Sequence, residues 1–457
     1  MSAQVDLKVV TEFSLGQDIG MLRAVPVRLK GGKKAVLVVY CADFDVDPSY
    51  EMFFFPTDTL KLALYSLEGE QIWKKDLGKG VVPGIWFCPV FPFDLNGDGE
   101  DEIWFVNNTI VQHPLTLKGY VLERLEGSTG ETLGQFPWTY YGERQALSPQ
   151  FRNFILGGYA NGEPVLVTAQ GTYHNMHLQG WNADMTMRWR HDIANDDPGA
   201  RGSHMTPVVD INNDGVDEVL WGERGIEVDT GRELFCGDRD VYRGHSDIIQ
   251  PIRDRDSNQL YIYTVRESDP TATPRVVLFN GEGQRVWGNV DHGHIDMGWA
   301  ARIKDDQGHV VMAIRIGSKT CGPDGRFHQN MDEFTYDALS GEEYPLPFSI
   351  YRTFPVDLNG DGYHELVRGV PNGDGEVFDR HGQSIGNVGG TVAMASKFMD
   401  LPGEQLLCFY PDGTIRIWAD ANAKDSETLL ERCAHPFYKG AQRITAVGYN
   451  VVLMAGL

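Results

Sequence analysis

The stretch Asp94-Leu95-Asn96-Gly97-Asp98-Gly99-Glu100-Asp101-Glu102 occurs in two further versions, Asp210-Ile211-Asn212-Asn213-Asp214-Gly215-Val216-Asp217-Glu218 and Asp357-Leu358-Asn359-Gly360-Asp361-Gly362-Tyr363-His364-Glu365. All read D-x-N-x-D-G-x-x-E. Oxygen-bearing side chains on alternate residues, a Gly at the sharp turn, a later backbone carbonyl and a closing Glu suit a hard cation such as calcium. The expected ligands are Asp94, Asn96, Asp98, Glu100 and Glu102, then Asp210, Asn212, Asp214, Val216 and Glu218, then Asp357, Asn359, Asp361, Tyr363 and Glu365. The closing Glu comes too early for a full EF-hand. Apolar β-formers flank the loops, with Phe91-Pro92-Phe93 before and Ile103-Trp104-Phe105-Val106 after the first. Each loop therefore joins two strands, and its ion would be structural, a catalytic ion being the alternative. His364, at a variable loop position, is expected to be solvated.

A second pattern lies between these loops: a strand, a turn rich in Gly, Asp and Asn, and a strand often carrying Trp. Examples are Leu64-Tyr65-Ser66-Leu67-Glu68-Gly69-Glu70-Gln71-Ile72-Trp73 and Leu278-Phe279-Asn280-Gly281-Glu282-Gly283-Gln284-Arg285-Val286-Trp287. Weaker copies raise the count to about eight, roughly 40–60 residues apart, which is the period of a β-propeller. The predicted fold is all-β, a propeller of four-stranded antiparallel blades, eight by this count and seven if the weak hairpins miscount. Blades would run 20–79, 80–138, 150–192, 203–238, 245–291, 297–347, 350–388 and 390–433, with the calcium loops between the first and second strands of blades two, four and seven. Both ends, Val5–Phe13 and Arg443–Leu457, read as strands, one of which would close the ring. No linker divides 1–457, so a single domain is expected.

The net charge of −24 argues against nucleic acid and anionic membrane as partners. No apolar run reaches the length of a membrane span. The start, Met1-Ser2-Ala3-Gln4-Val5-Asp6, lacks a signal-peptide pattern, so the expected location is cytoplasmic, or secreted or periplasmic if a leader was removed. The six Cys lack metal-site or disulfide spacing and read as small buried residues or free thiols.

The connectors before predicted inner strands are rich in ionisable groups: Tyr173-His174-Asn175-Met176-His177, Arg201-Gly202-Ser203-His204, Tyr242-Arg243-Gly244-His245-Ser246-Asp247, Asp291-His292-Gly293-His294-Ile295-Asp296 and Tyr351-Arg352. Cys88, His204, Tyr351 and Trp299 occupy comparable strand-start positions and are expected to face one mouth of the channel. His, Tyr and Arg beside bound cations suit β-elimination on a uronic acid. A cation neutralises the carboxylate, a base takes the adjacent proton, and an acid protonates the leaving oxygen. Hydrolysis would instead want two carboxylates at a defined separation.

The run Ser203-His204 to Asp210–Gly222, then Gly244-His245-Ser246-Asp247, Val286-Trp287-Gly288 and Gly298-Trp299-Ala300-Ala301-Arg302-Ile303 resembles the rhamnogalacturonan lyases, eight-bladed calcium-binding propellers. It is also similar in style to smaller propellers acting on ulvan or on rhamnose–glucuronate linkages. Gly-His-Ser-Asp stands where the family has Gly-His-Gly-Asp, Asn replaces the central loop Asp, and the chain is short for the family. The resemblance implies a lyase acting on an acidic, rhamnose- and uronate-containing oligo- or polysaccharide. An α-L-rhamnosidase on the same scaffold and a non-catalytic, integrin-like binding propeller are the alternatives. The expected roles are His204 or His245 as base, Tyr242 or Tyr351 as acid, and Arg243 and Arg302 as carboxylate partners. His174, His177, Arg201, His292, His294, Trp299 and Arg352 would bind substrate. The sequence leaves the oligomeric state open.

Overall fold

The N-terminal strand Leu7–Ser14 pairs antiparallel with Thr414–Asp420 and becomes the outer strand of the last sheet. The ring thus closes where the two ends of the chain meet. The computed structural model describes residues 5–110, 115, 119–138, 146–269, 271–321, 327–371 and 373–457. These residues form eight antiparallel sheets in chain order, an eight-bladed β-propeller. The first blade is Met21–Arg28, Lys34–Cys41, Lys61–Ser66 and Gln71–Asp76. The innermost strands of the others are Val90–Phe93, Asn153–Ala160, Val208–Val209, Ser246–Arg253, His294–Arg302, Phe354–Val356 and Thr391–Ser396.

The Trp-bearing hairpins explain how blades hold one another. Trp73, Trp189 and Trp287 sit on fourth strands, and each donates its indole N–H to a turn carbonyl of the next blade: Gly127 at 2.8 Å, Val228 at 2.6 Å and Ala338 at 3.0 Å. Gly130, Gly231 and Gly341 in those turns lie against the indole rings, where a Cβ would come within 2.7 Å. Among the described residues the sixth blade departs from four strands. After Phe327–Asp337 there is only a bridge, Tyr336 to Glu343. Pro345 and Pro347 follow, and neither can donate to a ladder.

The expected C-terminal strand Arg443–Leu457 is not one, and the predicted last blade does not extend to 433. Leu7–Ser14 already occupies the free sheet edge. The chain instead forms the helices Glu427–Ala434 and Pro436–Arg443 and the 3-10 turn Asn450–Gly456. Ser426 caps the first, its Oγ accepting Leu429 N–H at 3.2 Å. Together they plug the channel. The second helix packs on the inner strands of blades one, two and four, and the 3-10 turn on those of blades five to eight. Side chains stitch plug to wall: Arg23 Nη1 donates to Ala446 O (3.0 Å), Thr445 Oγ1 to Ala24 O (2.6 Å) and Gln250 Nε2 to Val452 O (2.8 Å). Arg432 is fully buried and ion-paired with Asp357 (2.9 Å) and Glu404 (3.2 Å), and Tyr438 O–H also donates to Glu404 (2.7 Å).

Removing the Arg432 guanidinium strands two buried carboxylates, which typically costs about 3–5 kcal/mol. Arg432→Ala is therefore expected to lower unfolding stability by about that amount in urea titrations, without changing the far-ultraviolet circular dichroism of the folded state.

Candidate functional site

Six titratable side chains from three blades meet at one mouth of the channel. His204 ends the connector into the fourth blade. His245 and Asp247 straddle the start of Ser246–Arg253, Glu267 follows the paired strand Leu260–Arg266, and His294 and Asp296 begin His294–Arg302. Backbone hydrogen bonds fix the juxtaposition: His204 N–H to Ser246 O (3.1 Å) and Glu267 N–H to His245 O (3.0 Å). The ladder register skips one residue between Ser246 and Ile248 and again between Ile295 and Met297. The skipped residues are Asp247 and Asp296. A bulge re-aims a side chain, and here it does so for a carboxylate in each of two neighbouring blades.

His204 Nε2 lies 3.3 Å from Asp247 Oδ1 and 4.0 Å from Glu267 Oε2, while His245 Nε2 lies 3.9 Å and 3.8 Å from the same two oxygens. His294 Nε2 is 3.7 Å from Glu267 Oε1 and 3.3 Å from Asp296 Oδ1. Tyr173 O–H donates to Glu267 Oε2 at 3.0 Å, and its ring stacks on His245 with centroids 4.2 Å apart. Arg152 covers the rear, its Nη1 3.5 Å from His204 Nδ1 and its Nη2 donating to Asp47 Oδ1 at 3.2 Å. Trp86 and Tyr449 flank His204 at 5.0 and 5.1 Å.

Burial, followed by neighbouring positive charge, holds both His204 and His245 well below the ordinary histidine value, so both rings are neutral near pH 7. Burial also raises Asp247 well above the usual carboxylate value, reinforced by Asp296 and Glu267, and it raises Glu267. His245 Nδ1 faces Arg201 O at 3.4 Å. Donation there leaves the Nε2 lone pair pointing at the carboxylates. Nε2 of His245 and Oδ1 of Asp247 are buried without a hydrogen-bond partner. Neutral imidazoles, facing carboxylates and orphaned acceptors fit a divalent cation held by His204, His245, Asp247 and Glu267. Asp247, His294 and Asp296 form a second group of the same kind, sharing Asp247.

Of the residues singled out by sequence, the fold brings His204, His245 and His294 together. Tyr242 is buried in the wall; its hydroxyl donates to His245 O beneath the Arg266 guanidinium. Arg302 lies at the opposite end of His294–Arg302 from the cluster, buried beside His309, its cross-strand partner. Trp299 is core, its N–H donating to Thr353 O at 3.1 Å. Cys88 lies inside the wall, its carbonyl accepting from Arg23, so the four comparable positions do not face one place. Arg201 is a loop strap, its guanidinium donating to Ala194 O at 2.7 Å and to Asp197 O. Arg243 is exposed and reaches Asn195 O at 2.9 Å. His177 pairs with Asp192 at 2.8 Å, His174 is exposed, and Arg315 Nη1 lies 3.4 Å from His292. Tyr351 and Arg352 precede the innermost strand of blade seven, with the guanidinium 5.0 Å over the ring. Asp47, Trp86, Arg152, Glu267 and Tyr449 also meet the cluster but stand in no motif of the sequence. Their signal is long-range pairing, which no local motif carries.

The three repeated loops sit where expected, between first and second strands. Their sixth position needs a left-handed backbone, with φ of +93, +91 and +96° at Gly99, Gly215 and Gly362. The closing Glu accepts from the second residue's N–H in all three, and Oε1 of Glu102 and of Glu218 is buried without a hydrogen bond, Glu102 Oε1 lying 3.7 Å from Arg124 Nη1. The third loop differs. Asn359 Nδ2 donates to Glu365 Oε1 (2.7 Å), and His364, rather than being solvated, is buried and accepts Arg302 N–H at 2.9 Å.

Residues 141–327 match the family description "Rhamnogalacturonan lyase family 11, C-terminal domain". The chain is a propeller similar to the rhamnogalacturonan lyases. Against the rhamnogalacturonan exolyase YesX of Bacillus subtilis it is 25% identical over 377 residues, covering 71% of this chain and 58% of that one. Against the endolyase YesW of the same organism it is 23% identical over 295 residues, covering 54% and 44%. The chain thus matches about half the length of these relatives. The crystal structure of YesW superposes with a TM-score of 0.78 at 17% identity, over 99% of this chain and 82% of that one. A Bacillus licheniformis rhamnogalacturonan lyase also superposes at 0.78, with 19% identity, over 100% and 82%. The fold and the resemblance read from sequence are both borne out.

Burial raises Glu102 to about 7 and Glu218 to about 8, against an ordinary 4.5. The folded loops then hold protons that the unfolded chain has released, so without metal, stability falls as pH rises from about 4.5 to about 8. A cation replacing those protons must stabilise more at the upper end. The rise in melting temperature on replacing chelator by a divalent cation is expected to grow from about pH 5 to about pH 8. Scanning calorimetry checks it.

Proposed function

We propose that this chain is a lyase that cleaves an acidic, rhamnose- and uronate-containing polysaccharide by β-elimination. The observation that carries the reading is the buried group of His204, His245, Asp247 and Glu267, with its orphaned ligand atoms, where the starts of neighbouring inner strands meet. Relatives described as rhamnogalacturonan lyases support the substrate class. Calcium is proposed for the oxygen-only loops, which match its preference for hard ligands. A divalent cation is proposed at the mouth. When bound there, it would neutralise the substrate carboxylate and so acidify the adjacent C–H.

The chain's own residues divide the remaining work. His204 and His245, both neutral and buried, serve as ligands in this reading, so neither is left as the base. His294 is half exposed and oriented by Asp296 at 3.3 Å, which makes it the accessible group to accept the proton. Burial holds the Tyr173 phenol far above its ordinary value. It keeps its proton and orients Glu267. Arg152 places a second positive charge behind His204.

Incubation with rhamnogalacturonan is expected to give rising ultraviolet absorbance from the unsaturated uronate that only elimination produces, and chelator should abolish it. His294→Ala should lower kcat by about 100-fold or more, with the melting temperature retained. Free rhamnose without the absorbance rise would instead favour the hydrolase.

A further inference from the structure

The loop joining Lys34–Cys41 to Lys61–Ser66 in the first blade displays largely exposed apolar side chains, of which Phe55 meets Phe53 edge-on with centroids 5.1 Å apart. Tyr50 is 93% exposed, Phe44 75% and Phe55 66%, with Met52 and Phe54 beside them. The loop carrying them is firmly tied. Asp43 Oδ2 accepts the N–H groups of Thr57 (2.6 Å) and Asp58 (2.8 Å), and Asp45 Oδ1 accepts that of Ile85 (3.0 Å). Phe53 turns inward onto Phe87, with centroids 6.1 Å apart. Presenting aromatic rings to water from an ordered loop is unfavourable unless something covers them.

The loop is continuous with the candidate site. Asp47, three residues before Tyr50, accepts from Trp86 Nε1 at 3.1 Å and from Arg152 Nη2 at 3.2 Å, and both partners touch His204. The loop's own charges are acidic: Asp43, Asp45, Asp47, Glu51 and Asp58. It therefore cannot draw an acidic polymer electrostatically. It offers flat apolar rings instead, which suit the C–H faces of pyranose rings and the methyl group of a deoxy sugar.

We infer that Phe44, Tyr50 and Phe55 form a subsite that stacks on sugar units of a glycan several residues from the bond cleaved at the cluster. This rests on the lyase reading above. Binding energy gathered so far from the reacting atoms favours polymer over short oligomers.

The test is the triple variant F44A/Y50A/F55A, whose positions are exposed and outside the core. Two readouts are taken. One is the ratio of kcat/KM on rhamnogalacturonan polymer to that on the shortest oligosaccharide cleaved. The other is polymer binding in chelator, followed by affinity electrophoresis. The expected result is a fall of about tenfold or more in the ratio, with matching loss of retardation. A wild-type ratio and wild-type retardation overturn the inference. So does an equal loss on polymer and oligomer, because the loop then only orders the site. A wild-type dimer that the variant dissociates also overturns it, since the rings would then cover a second copy. If the wild-type protein cleaves no glycan but the variant loses retardation, the lyase reading fails while the subsite stands.

Discussion

Asp247 and Glu267 converge on the neutral imidazoles of His204 and His245 among aromatic rings, and two like charges in so dry a place cannot both ionise unaided. That constraint organises the mouth of this propeller. Burial pushes the carboxyls towards protonation and the imidazoles towards neutrality, which leaves lone pairs facing a common point. A divalent cation resolves all of these penalties together. Tyr173 and the Arg201 carbonyl orient Glu267 and His245 before any ion arrives.

Such a site needs a rigid frame, and the frame is built from outside and inside at once. Trp73, Trp189 and Trp287 clasp successive blades through their indole N–H groups. From within, the C-terminal plug fills the channel, and Tyr449 from it packs against His204. The same plug delivers Arg432 to Asp357 in the third repeated loop. There Asn359 also takes up Oε1 of the closing Glu, whereas in the first loop Arg28 braces Asp94 at 2.8 Å and Oε1 of the closing Glu in the first two loops accepts no hydrogen bond. Three copies of one motif serve unequal ends.

Much of the fold was legible because its repeats are local. Gly and Asn at left-handed loop positions, and Trp after Gly-rich turns, each act within a few residues and mark blades directly. The plug was not legible. Its Val451-Val452-Leu453-Met454 run reads as a strand, but Leu7–Ser14 takes the edge of the last sheet and the run forms part of a 3-10 turn against the inner strands instead. In the site, His204, His245 and His294 were legible as polar residues at strand starts. Glu267 and Arg152 were not, because they arrive through the pairing of Ser246 with Arg266 and through packing across blades. Tyr242, Trp299 and Arg302 show the opposite failure. Their residue types suited chemistry, but strand register turned them into the wall or sent them to the far end of it.

The group of His204, His245, Asp247 and Glu267 is proposed to hold a divalent cation. Anomalous diffraction from a crystal of the protein grown with manganese tests this most directly. A peak is expected within bonding distance of His245 Nε2 and Asp247 Oδ1, the two orphaned atoms. A map with peaks in the repeated loops and only water between those two atoms would contradict it.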